Sequence, residues 1–354
     1  MSRYLFTPGP VPMQQDICDI GGEQTPYFRN DWFSQVVKEC ETNLLDCVNA
    51  PEGSRAIFLT ASGTGAMEAS VINLLKADQK TLVVNGGSFG QRFADLCDIH
   101  HKPYQSLHVA DSDLSDIADQ CTADSFCTLL INAHETSVGR LYNLQAVGQF
   151  CRENGLLNIV DGISMFVTDP LDMTEFNIDA LIISSHKALG LHAGLSMVIL
   201  SPRAIEALNE RCSMYFDFHS YLNDGERGQT PFTPAINILM QLQHRLRQLV
   251  DGGLAKEVER AKEIAHYFRE QISPLPLGFY SQYMPNAMTT LSPLDGRSAA
   301  QVVLDMEQNY GMVLTPNGGE LRDKVFRVSH MGCMDIRYTD QLLDALFDYY
   351  GAER

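Results

Sequence analysis

The sequence predicts an α/β protein, with a mostly parallel central sheet, helices on both faces and a smaller C-terminal α+β domain. Three observations carry this. Between residues 56 and 200 short apolar runs alternate with small-residue turns and helical stretches. Polar residues gather where those apolar runs end. Beyond a long helical stretch at about 254–272, shorter strands and helices mix. The 354 residues suffice for about two domains, and the reading divides them into an N-terminal arm (1–30), a large unit (31–260) and a small unit (261–354).

Residues 3–30 carry Pro8, Pro10, Pro12 and the Gly21-Gly22 pair, which argue for an extended arm and against a helix. Residues 32–49 place Phe33, Val36, Val37, Cys40 and Leu44 at helical spacing. Ala56–Leu59 reads as a strand running into Thr60-Ala61-Ser62-Gly63-Thr64-Gly65, with a helix following. Such a turn can cradle an anion through backbone N–H groups, hydroxyls and the positive helix end; equally, it can simply cap a helix. It has neither the G-K-[ST] ending of a P-loop nor a G-x-G-x-x-G fingerprint.

Further strands are expected at 81–85, 107–109, 128–132, 156–162, 179–185 and 194–200. Phe89 stands among glycines on the loop after the first of these, free to enter a cleft or to cap the core. The stretch Ala133-His134-Glu135-Thr136-Ser137-Val138 fails the H-E-x-x-H pattern, because residue 138 is Val, so a zinc-protease reading is excluded. Asp161 ends an apolar strand and either pairs with a buried cation or caps the following turn. Residues 202–211 read as helix and 213–233 as irregular, with Arg227, Gln229 and Thr230 exposed. Arg327 projects from the alternating strand around Val325–Ser329, suited to a bidentate carboxylate or to a structural ion pair.

The stretch Ala180-Leu181-Ile182-Ile183-Ser184-Ser185-His186-Lys187 holds the most demanding side chain. An unpaired ammonium at the end of a buried strand is costly. Either Lys187 reaches solvent, or its amine is neutral because it is bonded to an aldehyde cofactor.

Composition narrows the partners. A net charge of −18 disfavours nucleic acid and anionic membrane surfaces. Nine cysteines without a C-x-x-C pair suit a reduced, cytoplasmic setting. The N-terminal residues show no signal-peptide core, and no apolar run approaches the length of a membrane span. No metal-ligand spacing is present.

Eight short motifs in order resemble the class V aminotransferases, fold-type I pyridoxal-phosphate enzymes, over nearly the whole chain. They are T-P-G-P at 7–10, S-G-T-G-A-M-E at 62–68, N-G-x-x-F-G-x-R at 85–92, H-E-T-S-x-G at 134–139, V-D-G at 160–162, S-S-H-K at 184–187, T-P-F-T-P at 230–234 and F-R-V-S-H-M-G at 326–332. Among members, the chain is most similar to alanine–glyoxylate/serine–pyruvate and 2-aminoethylphosphonate–pyruvate aminotransferases. The resemblance implies a fold-type I transferase whose residues 31–260 bind pyridoxal 5′-phosphate. It implies Lys187 as the Schiff-base lysine and Asp161 as the partner of the pyridine nitrogen. Ser62, Gly63 and Thr64 would take the phosphate, with Phe89 and Ile163 on the two ring faces. Thr136 would touch the ring hydroxyl side, and His186, often Gln in relatives, would stand near the cofactor. Thr230 would reach the phosphate of a neighbouring subunit, which implies a homodimer. Arg327 and Gly9 would meet the substrate carboxylate. Arg227 stands where relatives often carry Tyr, and Arg29 lies in an altered segment; both are extra cations that could meet a phosphonate or stay at a surface or interface. The implied reaction moves an amino group from alanine, serine or an aminoethylphosphonate-like donor to a 2-oxo acid such as pyruvate or glyoxylate. A lyase or cysteine desulfurase on the same scaffold is the alternative, but residues 300–326 lack the cysteine that it needs.

Overall fold

The apolar runs pair edge to edge into one sheet. In the computed structural model, which describes residues 4–123 and 125–354, seven strands form it. The first three residues of the expected arm lie outside the described ones. The strands are β1 (Arg55–Leu59), β2 (Lys80–Asn85), β3 (Tyr104–His108), β4 (Phe126–Asn132), β5 (Leu157–Asp161), β6 (Ala180–Ser184) and β7 (Ser196–Leu200). Their order is β1-β7-β6-β5-β4-β2-β3. β7 runs antiparallel to both its neighbours, and the other pairs are parallel.

Every residue of β5, β6 and β7 is buried, as expected of strands covered on both faces. The period of two sorts their side chains into two cores. Leu129, Ile131, Leu181 and Ile183 join the layer made by the helices Asp31–Cys47 and Ile236–Leu249. Leu130, Ala180 and Ile182 join the opposite layer, with Met67 and Phe93 from the helices Gly63–Leu74 and Ser88–Ile99. Each fully buried aliphatic or aromatic side chain contributes about 1.5–3 kcal/mol of transfer free energy.

A third core belongs to the C-terminal part. A four-stranded antiparallel sheet there orders Leu277–Phe279, Met288–Pro293, Phe326–Ser329 and Thr315–Pro316. Phe326 and Val328 point into this core with Phe268, and Phe6 from the N-terminal segment joins them. Tyr4–Leu5 pairs parallel with Met312–Val313, which ties the two ends of the chain together.

Three local expectations need correction. The arm is not extended throughout: Gln15–Gly22 is a helix. Ile17 buries itself, and Gln241 Nε2 donates to its carbonyl at 2.7 Å, so packing outweighs the weak local propensity. Gly21 and Gly22 end this helix instead of preventing it. The 213–233 segment contains a helix, Phe218–Gly225, whose start is capped by Asp217 accepting from Ser220 N at 3.2 Å. Gln229 and Thr230 are buried, whereas Arg227 is exposed. Finally, Phe89 sits in the first turn of the Ser88–Ile99 helix and not on a loop.

Candidate active site

The parallel strands deliver their polar ends to one cavity of about 210 Å³. Ser62, Gly63, Thr64, Phe89, Thr136, Asp161, Ile163, His186 and Lys187 all line it. Register explains the convergence. Asn132 at the end of β4 lies opposite Asp161 at the end of β5, and Asp161 lies opposite Ile182 on β6, just before the turn that carries Lys187.

Asp161 is buried, and burial pushes its carboxyl above the usual range. Three groups oppose that: the Ile163 N–H at 2.9 Å, Asn132 Nδ2 at 2.6 Å, and the charge of Lys187. Lys187 is the mirror case. Burial lowers its ammonium to about 8, with the nearby Arg327 and Arg92 charges adding to the effect and Asp161 opposing it. Roughly one tenth of this amine is therefore neutral at pH 7, far more than for an ordinary lysine. Burial likewise lowers His186 to about 4, and its Nδ1 lies 2.9 Å from Ser184 Oγ. Gly9 completes the enclosure: a Cβ there would lie 2.9 Å from His186 Cδ2 and 3.0 Å from Lys187 Cδ. Its φ of +147° also disfavours any side chain.

On the opposite wall, Ser62 precedes the Gly63–Leu74 helix in extended conformation, and its side chain makes no cap bond. Hydroxyl and helix start therefore remain available to an anion. Gly63 allows Ile163 to close in, because a Cβ would lie 2.4 Å from Ile163 Cδ1. Arg92 Nη1 donates to Thr64 Oγ1 at 2.9 Å, and its guanidinium lies 4.7 Å from the Phe89 ring centroid.

Glu135 supports that wall from behind. It is fully buried and accepts from Phe89 N at 3.3 Å, Gly90 N at 2.9 Å and Ser137 N at 3.2 Å. It thereby caps the Ser88–Ile99 helix, whose own N-cap, Gly87, has no side chain to do so. Arg327 enters from the small sheet. Its Nη1 meets the Thr136 carbonyl at 3.4 Å, and its Nη2 meets the Pro316 carbonyl at 2.8 Å. Its Nε has no partner. Burial lowers it to about 10, with Glu135 opposing.

Three candidate residues lie outside this cavity. Thr230 donates its hydroxyl to the Phe232 carbonyl at 2.7 Å and is not part of this cavity. Arg29 donates to the Thr230 carbonyl at 2.9 Å, and the exposed Arg227 pairs with Asp224 at 2.6 Å. Sequence reasoning left Asn132, His134, Glu135, Ser164 and Arg92 without roles. Arg92 was findable, since a residue three positions after Phe89 on a helix shares its face. Asn132 was findable as another polar strand end.

A lysine of lowered basicity, a buried carboxylate and an anion cradle on a mostly parallel sheet define a cofactor-dependent enzyme of amine chemistry. Known proteins agree. Residues 27–306 match the family Aminotransferase class-V, and the chain belongs to that family. A 2-aminoethylphosphonate–pyruvate transaminase of Pseudomonas fluorescens is 28% identical over 93% of this chain and 91% of its own length. An alanine–glyoxylate aminotransferase of Oryctolagus cuniculus is 27% identical over 97% and 91%. Among solved structures, an aspartate aminotransferase of Thermus thermophilus superposes with a TM-score of 0.90 at 26% identity, covering 98% of this chain and 99% of that one. The protein is thus an aminotransferase of fold type I, and pyridoxal 5′-phosphate is its cofactor. The cavity fits that group: a start of helix with an unspent hydroxyl for phosphate, an amine for the aldehyde, and a carboxylate with raised proton affinity for the ring nitrogen.

Proposed function

We propose that this enzyme transfers an amino group from a small donor, of the alanine, serine or 2-aminoethylphosphonate class, to a 2-oxo acid such as pyruvate or glyoxylate. The observation that carries the reading is Lys187, lowered to about 8 beside Asp161 in a cavity closed by Gly9. The bound cofactor supplies an electron sink that lets an amino acid lose its α-proton. Lys187 Nζ would hold the cofactor through its aldehyde and would take and return the α-proton. Asp161 would favour the protonated form of the ring nitrogen. Ser62, Gly63 and Thr64 would bind the phosphate, with Phe89, Ile163, Thr136 and His186 lining the space for the ring. Arg327 orients the substrate carboxylate, with the backbone of Gly9 beside it; an unbonded Nε and a lowered pKa suit a guanidinium made to receive an anion.

A homodimer is part of this reading, because Thr230 does not line the cofactor cavity of its own chain and would act on a neighbour's phosphate. Exposed Tyr27 and Trp32 flank Arg29, which bonds the Thr230 carbonyl, and with the exposed Met214 and Tyr215 they supply apolar surface for a second copy. Residues 31–260 serve as the cofactor-binding unit and 261–354 as the small C-terminal domain. A cytoplasmic site of action suits nine cysteines, all free. Among the described residues no helix is long and apolar enough to cross a membrane.

The test is Lys187→Ala. The variant is expected to lose the borohydride-sensitive visible band of the cofactor-loaded protein, and retention of that band removes Lys187 from its role. A panel of alanine, serine and 2-aminoethylphosphonate against pyruvate, glyoxylate and 2-oxoglutarate then identifies the pair; failure of every pair overturns the substrate assignment.

A further inference from the structure

One cation on the cavity wall has no role in the reading above. Arg92 is half-buried and lines the cofactor cavity with Ser62, Gly63 and Thr64. Among the described residues no carboxylate pairs with it. The acidic side chains one helical turn from Thr64 and from Arg92 are engaged elsewhere: Glu68 Oε1 lies 3.0 Å from His100 Nε2, and Asp95 accepts from Gln91 Nε2 at 2.8 Å. A guanidinium on a cavity wall, without a counter-charge from the protein, suits an anion brought by a ligand.

The side chain is anchored on two sides. Phe89 and Arg92 share a face of the Ser88–Ile99 helix, so the guanidinium rests 4.7 Å from the Phe89 ring centroid. Its Nη1 crosses to the Gly63–Leu74 helix and donates to Thr64 Oγ1 at 2.9 Å. The direction of that bond matters. A guanidinium only donates, whereas a hydroxyl has one hydrogen and two lone pairs. Arg92 takes a lone pair of Thr64, so the Thr64 hydrogen points away from it, and no described residue accepts that hydrogen. Nε and Nη2 of Arg92 bond no described residue either. Donors are thus left unspent beside a helix start whose Ser62 side chain makes no cap bond. The charge of Arg92 also reaches into the cavity, where it helps to lower the Lys187 ammonium. Magnitudes say what the cradle lacks. A helix start offers roughly half a positive charge, whereas a phosphate monoester carries about −1.5 to −2 at neutral pH. One guanidinium makes up about one unit of the difference.

We propose that Arg92 is a phosphate-binding residue of the cofactor site, supplying the positive charge that the helix start lacks and turning the Thr64 hydroxyl toward the anion. The inference rests on the cofactor reading above and concerns only the phosphate end of the ligand. The same side chain ties the helix that begins the phosphate cradle to the helix that carries the aromatic wall.

The experiment uses the full-length apoprotein and compares binding of pyridoxal phosphate with binding of pyridoxal, which has the same ring and aldehyde but no phosphate. Visible absorbance of the bound aldehyde reads both in wild type, Arg92→Gln and Arg92→Lys. Arg92→Gln is expected to weaken pyridoxal phosphate about 10–100-fold, the size of one charge-assisted hydrogen bond, and to leave pyridoxal within about threefold of wild type. Arg92→Lys, which keeps the charge but loses the planar fork, is expected to fall between wild type and Arg92→Gln for pyridoxal phosphate. Inorganic phosphate is expected to slow loading of wild type by pyridoxal phosphate, and to need about tenfold more to do so in Arg92→Gln. Unchanged binding of pyridoxal phosphate in folded Arg92→Gln overturns the proposal. An equal loss for the two aldehydes overturns it too, since it marks Arg92 as structural support alone. If Arg92→Gln does not fold, Arg92→Lys decides by the same two criteria. A wild-type protein that gives no visible band with pyridoxal phosphate overturns the cofactor reading itself, a distinct failure.

Discussion

Lys187 lines the cavity and Arg327 lies close enough to act on its charge, one from each sheet, and burial lowers both. Lys187 comes from the end of β6, and Arg327 from the middle of a small-sheet strand. Their surroundings differ. Lys187 has an opposing carboxylate in Asp161 and an enclosing wall in Gly9. Arg327 has two carbonyl oxygens and an unbonded Nε, with Glu135 as a more distant counter-charge. The first cation is compensated within the protein and can shed its proton. The second keeps its charge at any pH of interest and has no ion-pair partner among the described residues, which suits the proposed role of receiving an anionic ligand.

Removing the compensation of the first cation gives the largest effect. Asp161→Ala is expected to lower kcat by about 10²–10⁴-fold, since the ring nitrogen loses its proton-holding partner. Steady-state kinetics checks this, and near-normal turnover would break the contrast. Arg327→Lys comes next. It keeps the charge but loses the planar fork, so KM for the carboxylate substrate is expected to rise about 10–100-fold with a smaller change in kcat. An unchanged KM would mean that the second cation awaits nothing.

The proton itself offers a finer test. Cofactor attachment to the apoprotein needs the neutral amine of Lys187, so its rate is expected to rise up to about pH 8 and level above it. Between about 8 and 10.4 the unfolded chain binds more protons at this lysine than the folded one, so apoprotein stability rises with pH across that window. Stopped-flow absorbance and pH-dependent denaturation read the two. Removing Asp161 is expected to move the midpoint down, because its charge opposes the lowering. Smallest of all is Glu135→Gln, which keeps the shape but weakens the bonds to Phe89 and Gly90 N–H groups. A loss of about 1–3 kcal/mol in thermal or chemical denaturation is expected, with the donor panel's ranking unchanged.

What the sequence made legible follows the same division. Polar residues at the ends of apolar strands stood out because each conflicts with its surroundings, and Asp161 and Lys187 meet in the cavity as those conflicts suggested. The antiparallel course of β7 was invisible, since a fully buried strand reads the same in either direction. The Gln15–Gly22 helix was hidden because a distant partner, Gln241, stabilises it. Glu135 and His134 were hidden for another reason. Their neighbours lie far along the chain, at Phe89–Gly90 and Asp169, and no local pattern records such pairs.

The N-terminal segment gives the site a schedule. Gly9 lies against Lys187, but the residues around it are anchored by late ones: Tyr4 and Leu5 pair with Met312 and Val313, and the Phe6 carbonyl accepts from Ser329 N at 2.8 Å. During synthesis, a wall made among the first residues cannot close until nearly the whole chain has emerged, a wait of roughly 15–60 s at ribosomal speed. Until then the cavity lacks the wall that Gly9 sets against Lys187.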